Sequence, residues 1–148
     1  MITGPEGILS RMSRLARVVL ILVCNVVHAQ SSQRTACLPP AGTTLVEFRS
    51  GTNILRGFID LPQRAGKHPA ILIIHGAAPT DVTADTNYFA ELRKAFGRAG
   101  IATLIWDKAG NGCSSGAYSS ALPIRERATE TLAALKALKQ RDDISTGD

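Results

Sequence analysis

The five-residue run Ala70-Ile71-Leu72-Ile73-Ile74 constrains the fold more than any other feature of the sequence. It is rich in β-branched residues and has no polar face. Such runs are typical of strands inside a parallel sheet whose two faces are both covered. The run ends in His75 and Gly76, and open α/β sheets form their binding sites at the carboxyl ends of such strands. We therefore predict an α/β fold with a candidate site directly after this run.

Three further segments are predicted to be extended. Thr44 to Arg49 alternates polar and apolar residues, residues 50–53 have the composition of a turn, and Ile54 to Leu61 is extended again, which together predict a β-hairpin. Ile101 to Trp106 is a second short apolar strand. With a helix after each apolar strand, the order predicts right-handed crossovers in a mostly parallel, three-layer sheet with an antiparallel edge.

Two segments have helical spacing. The first runs from Asn87 to Arg98, and Gly100 is placed to end it. Its candidate N-caps are Asp85 and Thr86, and its predicted buried residues are Phe89, Leu92 and Phe96. The second helix has Pro123 in its first turn. Its predicted buried stripe is Ile124, Ala128, Leu132, Leu135 and Leu138, and its predicted solvent-facing residues include Arg127 and Glu130.

The N-terminus predicts export. Residues 1–29 have the pattern of a secretory signal peptide, because Arg11, Arg14 and Arg17 precede the apolar run Val18 to Val27 and a small residue, Ala29, precedes Gln30. An uncleaved membrane anchor is the alternative, although the run is short for a span. Residues 30–42 are predicted to be a flexible lead-in and residues 43–148 the folded domain. The expected location is the periplasm or the exterior.

Charge and cysteine content narrow the partners. The net charge is +5, but the basic residues are scattered and aromatic residues make up only 5% of the chain, so a nucleic-acid partner is not expected. Cys24 lies in the predicted signal peptide, which leaves Cys37 and Cys113. An exported chain could join them. Their spacing alone leaves that question open.

The first motif is His75-Gly76-Ala77-Ala78-Pro79-Thr80-Asp81. Gly76 allows a sharp turn, and the backbone amides of Gly76, Ala77 and Ala78 are candidates for an oxyanion hole. One such donor stabilises a transition state by about 3 kcal/mol. The alternative is that His75 is a hydrogen-bonded turn histidine and Gly76 an ordinary loop glycine.

The second motif follows the second apolar strand and runs from Asp107 to Gly116. Its glycines at 110, 112 and 116 are one residue too widely spaced for a dinucleotide fingerprint, and no helix follows directly. A nucleotide-binding half-domain is the third alternative for this chain, and no cofactor or metal is expected. Cys113 is a weak candidate nucleophile, since no neighbour clearly lowers its pKa.

The order and spacing of the two motifs resemble the α/β-hydrolase superfamily, in particular exported esterase-like and dipeptidyl-aminopeptidase or acylaminoacyl-peptidase-like members. The resemblance implies the N-terminal part of the three-layer α/β-hydrolase fold, an antiparallel hairpin followed by two βα units. It also implies active-site loops that contain His75, Asp107, Gly110 and Gly112. Ala78 and Ala109 depart from the family pattern, where a glycine and an arginine are usual.

The resemblance further implies that the next strand should carry a G-x-S-x-G nucleophile elbow, with an acid and a histidine after it. Gly112-Cys113-Ser114-Ser115-Gly116 has this spelling, but it lies in the loop after the second apolar strand and no helix follows it directly, so no catalytic residue is assigned to the sequence given. We expect the N-terminal part of a serine hydrolase, inactive alone, whose completed form would act on a small ester or peptide-like substrate. The alternative is a non-catalytic remnant or split-hydrolase subunit that pairs with a second chain. The segment from Gln30 alone is expected to be unstable or to self-associate through the open edge of its sheet.

Overall fold

The computed structural model describes residues 37–76, 78–82, 89–121 and 124–146. The predicted signal peptide, the first part of the lead-in, the candidate caps Asp85 and Thr86, and Pro123 lie outside the described residues. Neither described helix has the length and apolar character needed to cross a membrane.

Four strands form a mixed sheet. They are β1 (Thr44–Ser50), β2 (Asn53–Asp60), β3 (Ala70–Ile73) and β4 (Ala102–Trp106), in the spatial order β1-β2-β4-β3. The pairs β1–β2 and β2–β4 are antiparallel, whereas β3 and β4 are parallel with Ile73 opposite Ile105. The predicted hairpin and both predicted apolar strands are confirmed, and their ends differ from the prediction by about one residue.

One helix covers each face of the sheet. Helix α1 (Ala90–Arg98) lies between β3 and β4 in sequence, and helix α2 (Ile124–Lys139) follows β4. Alternating residues of β4 face the two layers: Leu104 and Trp106 belong to the core beneath α2, whereas Ile105 packs with Phe58 on the other face. The predicted three-layer α/β arrangement, a hairpin followed by two βα units, is thus confirmed.

The predicted buried stripe of α2 is wrong. Ile124, Leu132 and Leu135 are 89%, 66% and 41% exposed, Ala128 is exposed as well, and only Leu138 of the stripe is buried. The buried face is instead Glu130, Ala134 and Leu138. Small alanines let the helix approach the sheet closely, and Glu130 finds polar partners beneath it, so the helix is rotated relative to the face that hydrophobicity alone selects.

The first helix is also rotated and starts late. Helix α1 begins at Ala90, because Phe89 before it has the left-handed backbone angle φ 52°. Phe89 and Leu92 are exposed, and Arg93 is the buried residue. The Arg93 guanidinium lies 4.7 Å from the centre of the Phe58 ring and bonds to Asp60 at 2.6 Å. These contacts decide which face is buried. The predicted end at Gly100 is confirmed, since its N–H donates to the Gly97 carbonyl at 3.0 Å.

After α2 the chain returns to the edge of the sheet beside β3. Ile144 forms a parallel bridge with His68, two residues before β3 begins. The His68 N–H donates to the Asp143 carbonyl at 2.9 Å, and the Ser145 N–H donates to the His68 carbonyl at 2.8 Å. The bridge sets both the direction and the register of any strand that continues along the free edge of β3.

Candidate active site

The two sequence motifs meet at one edge of the sheet. Because β3 and β4 are parallel and adjacent, the segment after β3 (residues 74–82, the β3 segment) lies beside the loop after β4 (residues 107–116, the β4 loop). The structure brings together the predicted site residues His75, Gly76, Ala78 and Asp107 through direct contacts described below, and Gly110 and Gly112 belong to the same loop. Ala77 lies outside the described residues.

His75 joins the β3 segment to the end of β4. Its imidazole is buried, and Nε2 lies 2.9 Å from the Trp106 carbonyl oxygen. A carbonyl oxygen only accepts, so Nε2 carries the proton. Burial lowers the pKa of His75, and the positive charges of Lys108 and Arg127 lower it further, against the opposing effect of the Trp106 bond. His75 is therefore a neutral, hydrogen-bonded histidine at neutral pH.

Lys108 holds the β3 segment from below. Its side chain is only 1% exposed. Its Nζ donates to the carbonyl of Gly76 at 2.7 Å and to that of Ala78 at 2.5 Å. Burial and the neighbouring charge of Arg127 lower the pKa of Lys108. Lys108 lies in the second motif, and its position directly after the apolar strand that ends at Trp106 is the only sequence signal for its role.

Asp107 holds both loops at once. Its carboxylate is fully buried. Oδ1 accepts the Val82 N–H at 2.7 Å and Oδ2 accepts the Cys113 N–H at 3.3 Å. Gly112 passes so close that a Cβ there would lie 2.2 Å from Oδ2 of Asp107, and its φ of +44° also favours glycine. The predicted site glycine is thus required by the packing of the backbone against Asp107.

Two serines that the sequence analysis did not assign attach the β4 loop to β2. The Ser114 hydroxyl accepts the Arg56 N–H at 2.9 Å and donates to the Asp107 carbonyl at 2.7 Å. The Ser115 hydroxyl accepts the Ile54 N–H at 2.7 Å. These bonds give both hydroxyls a structural role. They are short, polar side chains in a glycine-rich loop, which is the only sequence signal for that role.

The question of the two cysteines is answered by the structure. Cys37 and Cys113 form a disulfide with a Cα–Cα distance of 5.8 Å. The bond connects the end of the lead-in to the β4 loop. Cys113 is therefore not a free thiol, and the suggestion that it is a nucleophile is wrong.

Helix α2 supplies a charged pair beneath the site. The Glu130 carboxylate accepts hydrogen bonds from the Arg127 guanidinium and, at 3.3 Å, from the Ala109 N–H. The Arg127 guanidinium lies 5.6 Å from the centre of the Trp106 ring. The prediction that Arg127 and Glu130 face water is wrong, because Glu130 is buried and Arg127 is half-buried. Each satisfies the other, which is how charged groups are accommodated in an interior.

The contacts that join the two loops are made to backbone carbonyl and N–H groups. In the parts of the chain that the structure describes, no three side chains of His, Cys, Asp or Glu lie together as a metal site would require. In the β3 segment, the carbonyls of Gly76 and Ala78 both bond to the buried ammonium of Lys108. This is the kind of arrangement that can keep backbone amides in place for a ligand.

Comparisons with known proteins identify the fold. No protein-family model and no curated protein matches the sequence. Among solved structures, Est1E from Butyrivibrio proteoclasticus with bound ferulic acid is similar, with a TM-score of 0.58 and 23% identity over 68% of this chain. DcsB in complex with its substrate analogue gives 0.58 and 19% over 70% of this chain. The α/β hydrolase GrgF from Penicillium sp. sh18 gives 0.56 and 25% over 70%.

The match covers a minority of each of those proteins. It spans 39% of the Est1E chain, 34% of DcsB and 33% of GrgF. The shared part contains the mixed sheet and the helices on its two faces. The chain therefore folds as an N-terminal portion of an α/β hydrolase.

Proposed function

We propose that this chain is the N-terminal part of an exported serine hydrolase that cleaves ester or amide bonds, and that the β3 segment provides its oxyanion-binding loop. The observation that carries the proposal is the hold of Asp107 and Lys108 on that segment. Lys108 bonds to the carbonyls of Gly76 and Ala78 in the first half of the segment. Asp107, the residue before it, accepts the Val82 N–H at the other end. A loop held in this way is preorganised, which is the property that an oxyanion hole needs.

The candidate oxyanion donors are the backbone amides of Gly76, Ala77 and Ala78. Lys108 bonds to the carbonyls of Gly76 and Ala78. Because an ammonium only donates, it positions the backbone of this segment without competing for any of these amides.

The nucleophile is proposed to lie beyond the sequence given, on the strand that the His68–Ile144 bridge begins. Residues advance equally along two parallel paired strands. His75 is seven residues after His68, so a strand continuing from Ile144 reaches the level of His75 at about residue 151. A G-x-S-x-G elbow there would place its serine beside the β3 segment.

The reading frame past Asp148 in the source genome tests this proposal. A G-x-S-x-G motif with its serine within a few residues of position 151 is expected. An intact continuation that lacks the motif would overturn the proposal. The extended protein and its Ser→Ala variant should then be treated with a fluorophosphonate probe. Only the extended protein with the serine should be labelled, and the 148-residue chain should behave like the Ser→Ala variant.

Export is part of the proposal. The Cys37–Cys113 disulfide supports it, since such bonds persist in oxidising compartments and are rare in the cytosol. The experiment is to express the chain with its own N-terminus in a bacterial host, fractionate the cells and determine the N-terminal residue. A periplasmic or secreted product that begins at Gln30 is expected, whereas a cytosolic product that retains Met1 would contradict export.

A second candidate function is a non-catalytic subunit that pairs with another chain. The exposed residues Ile124, Leu132 and Leu135 of α2 and the 52% exposed Ile74 after β3 favour it, because large apolar side chains left exposed are candidates for an interface. Pull-down of the chain from its native extract separates the two. A stoichiometric partner would support the subunit, and recovery of a single longer polypeptide would support the hydrolase.

A further inference from the structure

A cavity of about 890 Å³ lies at the opposite end of the strands from the candidate active site. Three parts of the chain line it: residues 40–43 before β1, residues 60–64 at and after the end of β2, and the face and end of α1. Asp60 pairs with Thr103 at the start of β4, whereas Gly57 pairs with Trp106 at its end. The cavity and the two motif loops are thus separated by the length of β4.

The cavity is strongly basic. Its lining contains four cationic side chains and one carboxylate, namely Arg64, Arg93, Lys94, Arg98 and Asp60. Arg93 is paired with Asp60 at 2.6 Å, and Lys94 is paired with Glu91 at 2.8 Å. Arg64 and Arg98 have no ion pair or hydrogen bond to any residue in the described segments. Both residues are exposed, so their guanidinium donors are accessible to a bound anion.

Arg64 is exposed and extends to the end of α1. Its guanidinium lies against Gly100, so closely that a Cβ at residue 100 would be 2.5 Å from Nη2. Cations at the end of a helix often bond to its last carbonyls. Here the carbonyls of residues 95, 96 and 97 already accept the N–H groups of residues 99, 101 and 100. These three carbonyls therefore have donors without Arg64.

We propose that this cavity binds a small organic anion, with a carboxylate or phosphate head held by Arg64 and Arg98. Guanidinium groups bond to such heads through paired, charge-assisted hydrogen bonds. Pro40, Leu61 and Ala99 supply apolar lining for a short body, and the volume is in the range of small-molecule sites. Buried Arg93 and half-buried Asp60 form a wall of the cavity, and each neutralises the charge of the other. The site does not depend on the hydrolase function proposed above.

Titration of the full chain at low ionic strength, followed by NMR or calorimetry, tests the proposal. The probes are hexanoate, hexyl phosphate, inorganic phosphate and the neutral hexanamide. Saturable binding of one hexanoate or one hexyl phosphate is expected, and the tighter of the two identifies the preferred head. Hexanamide should bind at least about tenfold more weakly, since it forms no charge-assisted bonds. Inorganic phosphate should also bind more weakly than hexyl phosphate, because it lacks the apolar body.

The variants Arg64→Gln and Arg98→Gln locate the site. Each should weaken binding about tenfold, as expected for loss of one charge-assisted contact. The matched control is Lys67→Gln, an exposed cation that does not line the cavity, and it should change affinity less than about twofold. Circular dichroism checks that all three variants are folded. Equal weakening by Lys67→Gln, binding that does not saturate, or equal affinity for hexanamide would each overturn the proposal.

Discussion

The β4 loop and the β3 segment face each other at one edge of the sheet, but they are held in opposite ways. The β4 loop is attached to the fold by its own side chains: Ser114 and Ser115 bond to the backbone of β2, and Cys113 is joined to Cys37. The β3 segment is held largely from outside. Asp107 and Lys108 of the β4 loop bond to its backbone amide and carbonyl groups.

The difference shows that the β4 loop acts as a scaffold for the β3 segment. From the β3 segment, the His75 imidazole donates to the Trp106 carbonyl at the end of β4. The shape of the proposed oxyanion loop is therefore determined by residues about thirty positions later in the chain. Four predictions test this dependence.

The largest effect is expected from loss of the disulfide. The double substitution Cys37→Ser and Cys113→Ser opens a closed loop with a sequence separation of 76. It should lower the free energy of unfolding by about 4 kcal/mol on the chain-entropy scale, measured by denaturant unfolding. Reductant should lower the stability of the wild-type chain to that of the variant and leave the variant unchanged. A reductant effect of equal size in both proteins would contradict the role of the bond.

Asp107→Ala should separate the two loops. The substitution removes the acceptor of the buried Val82 N–H and of the Cys113 N–H, which should cost about 3 kcal/mol of unfolding free energy. Asp142→Ala changes an exposed carboxylate and should stay within about 0.5 kcal/mol of wild type. The scaffold role would be contradicted if the two variants had similar stability.

Lys108→Met should act mainly on the β3 segment. The change leaves the Gly76 and Ala78 carbonyls without their donor, but it also removes the cost of burying an ammonium, so global stability should fall by only about 1 kcal/mol. Amide hydrogen exchange of residues 74–82 should increase at least about tenfold. Residues 110–116 should keep their wild-type exchange rates. Equal acceleration in both regions would show that Lys108 is not specific to the β3 segment.

The smallest effect is expected from the titration of His75. Burial lowers the pKa of His75 below its ordinary value of 6.5, so the unfolded chain binds a proton at a higher pH than the folded chain. The contribution of neutral His75 to stability is then fully present above about pH 6.5 and is lost progressively as the pH falls below it. The stability of wild type relative to His75→Gln, measured by denaturant unfolding, should decrease between about pH 7 and pH 5. A difference that does not vary with pH would contradict the burial effect.

Much of the fold could be predicted because its signals are local. The run from Ala70 to Ile74, the hairpin turn and the end of α1 at Gly100 each depend on a few neighbouring residues. The helix faces could not be predicted in this way. Leu132 and Leu135 are more hydrophobic than Ala134, yet Ala134 is buried and both leucines are exposed. Close approach of α2 to the sheet favours a small side chain. The distance between the helix and the sheet depends on tertiary packing and cannot be read from neighbouring residues.

The candidate site was predicted in part. The motif residues His75, Gly76, Asp107 and Gly112 come to one edge, because parallel neighbouring strands end together. The contacts among these residues could not be predicted. Lys108 bonds to carbonyls about thirty residues earlier in the chain, and the sequence pattern would be the same if this lysine were exposed. The cavity with Arg64 and Arg98 was not foreseen at all. It is formed by three separate parts of the chain.

The sequence by itself determined the order of strands and helices and the position of the two loops, because hydrophobic periodicity and turn residues act over short distances. Only the tertiary structure decided that Cys37 meets Cys113, that Arg93, Lys108 and Glu130 are buried, and which face of each helix covers the sheet. Charged side chains are buried where partners from distant parts of the chain satisfy them. Those partners are brought together only when the sheet has formed.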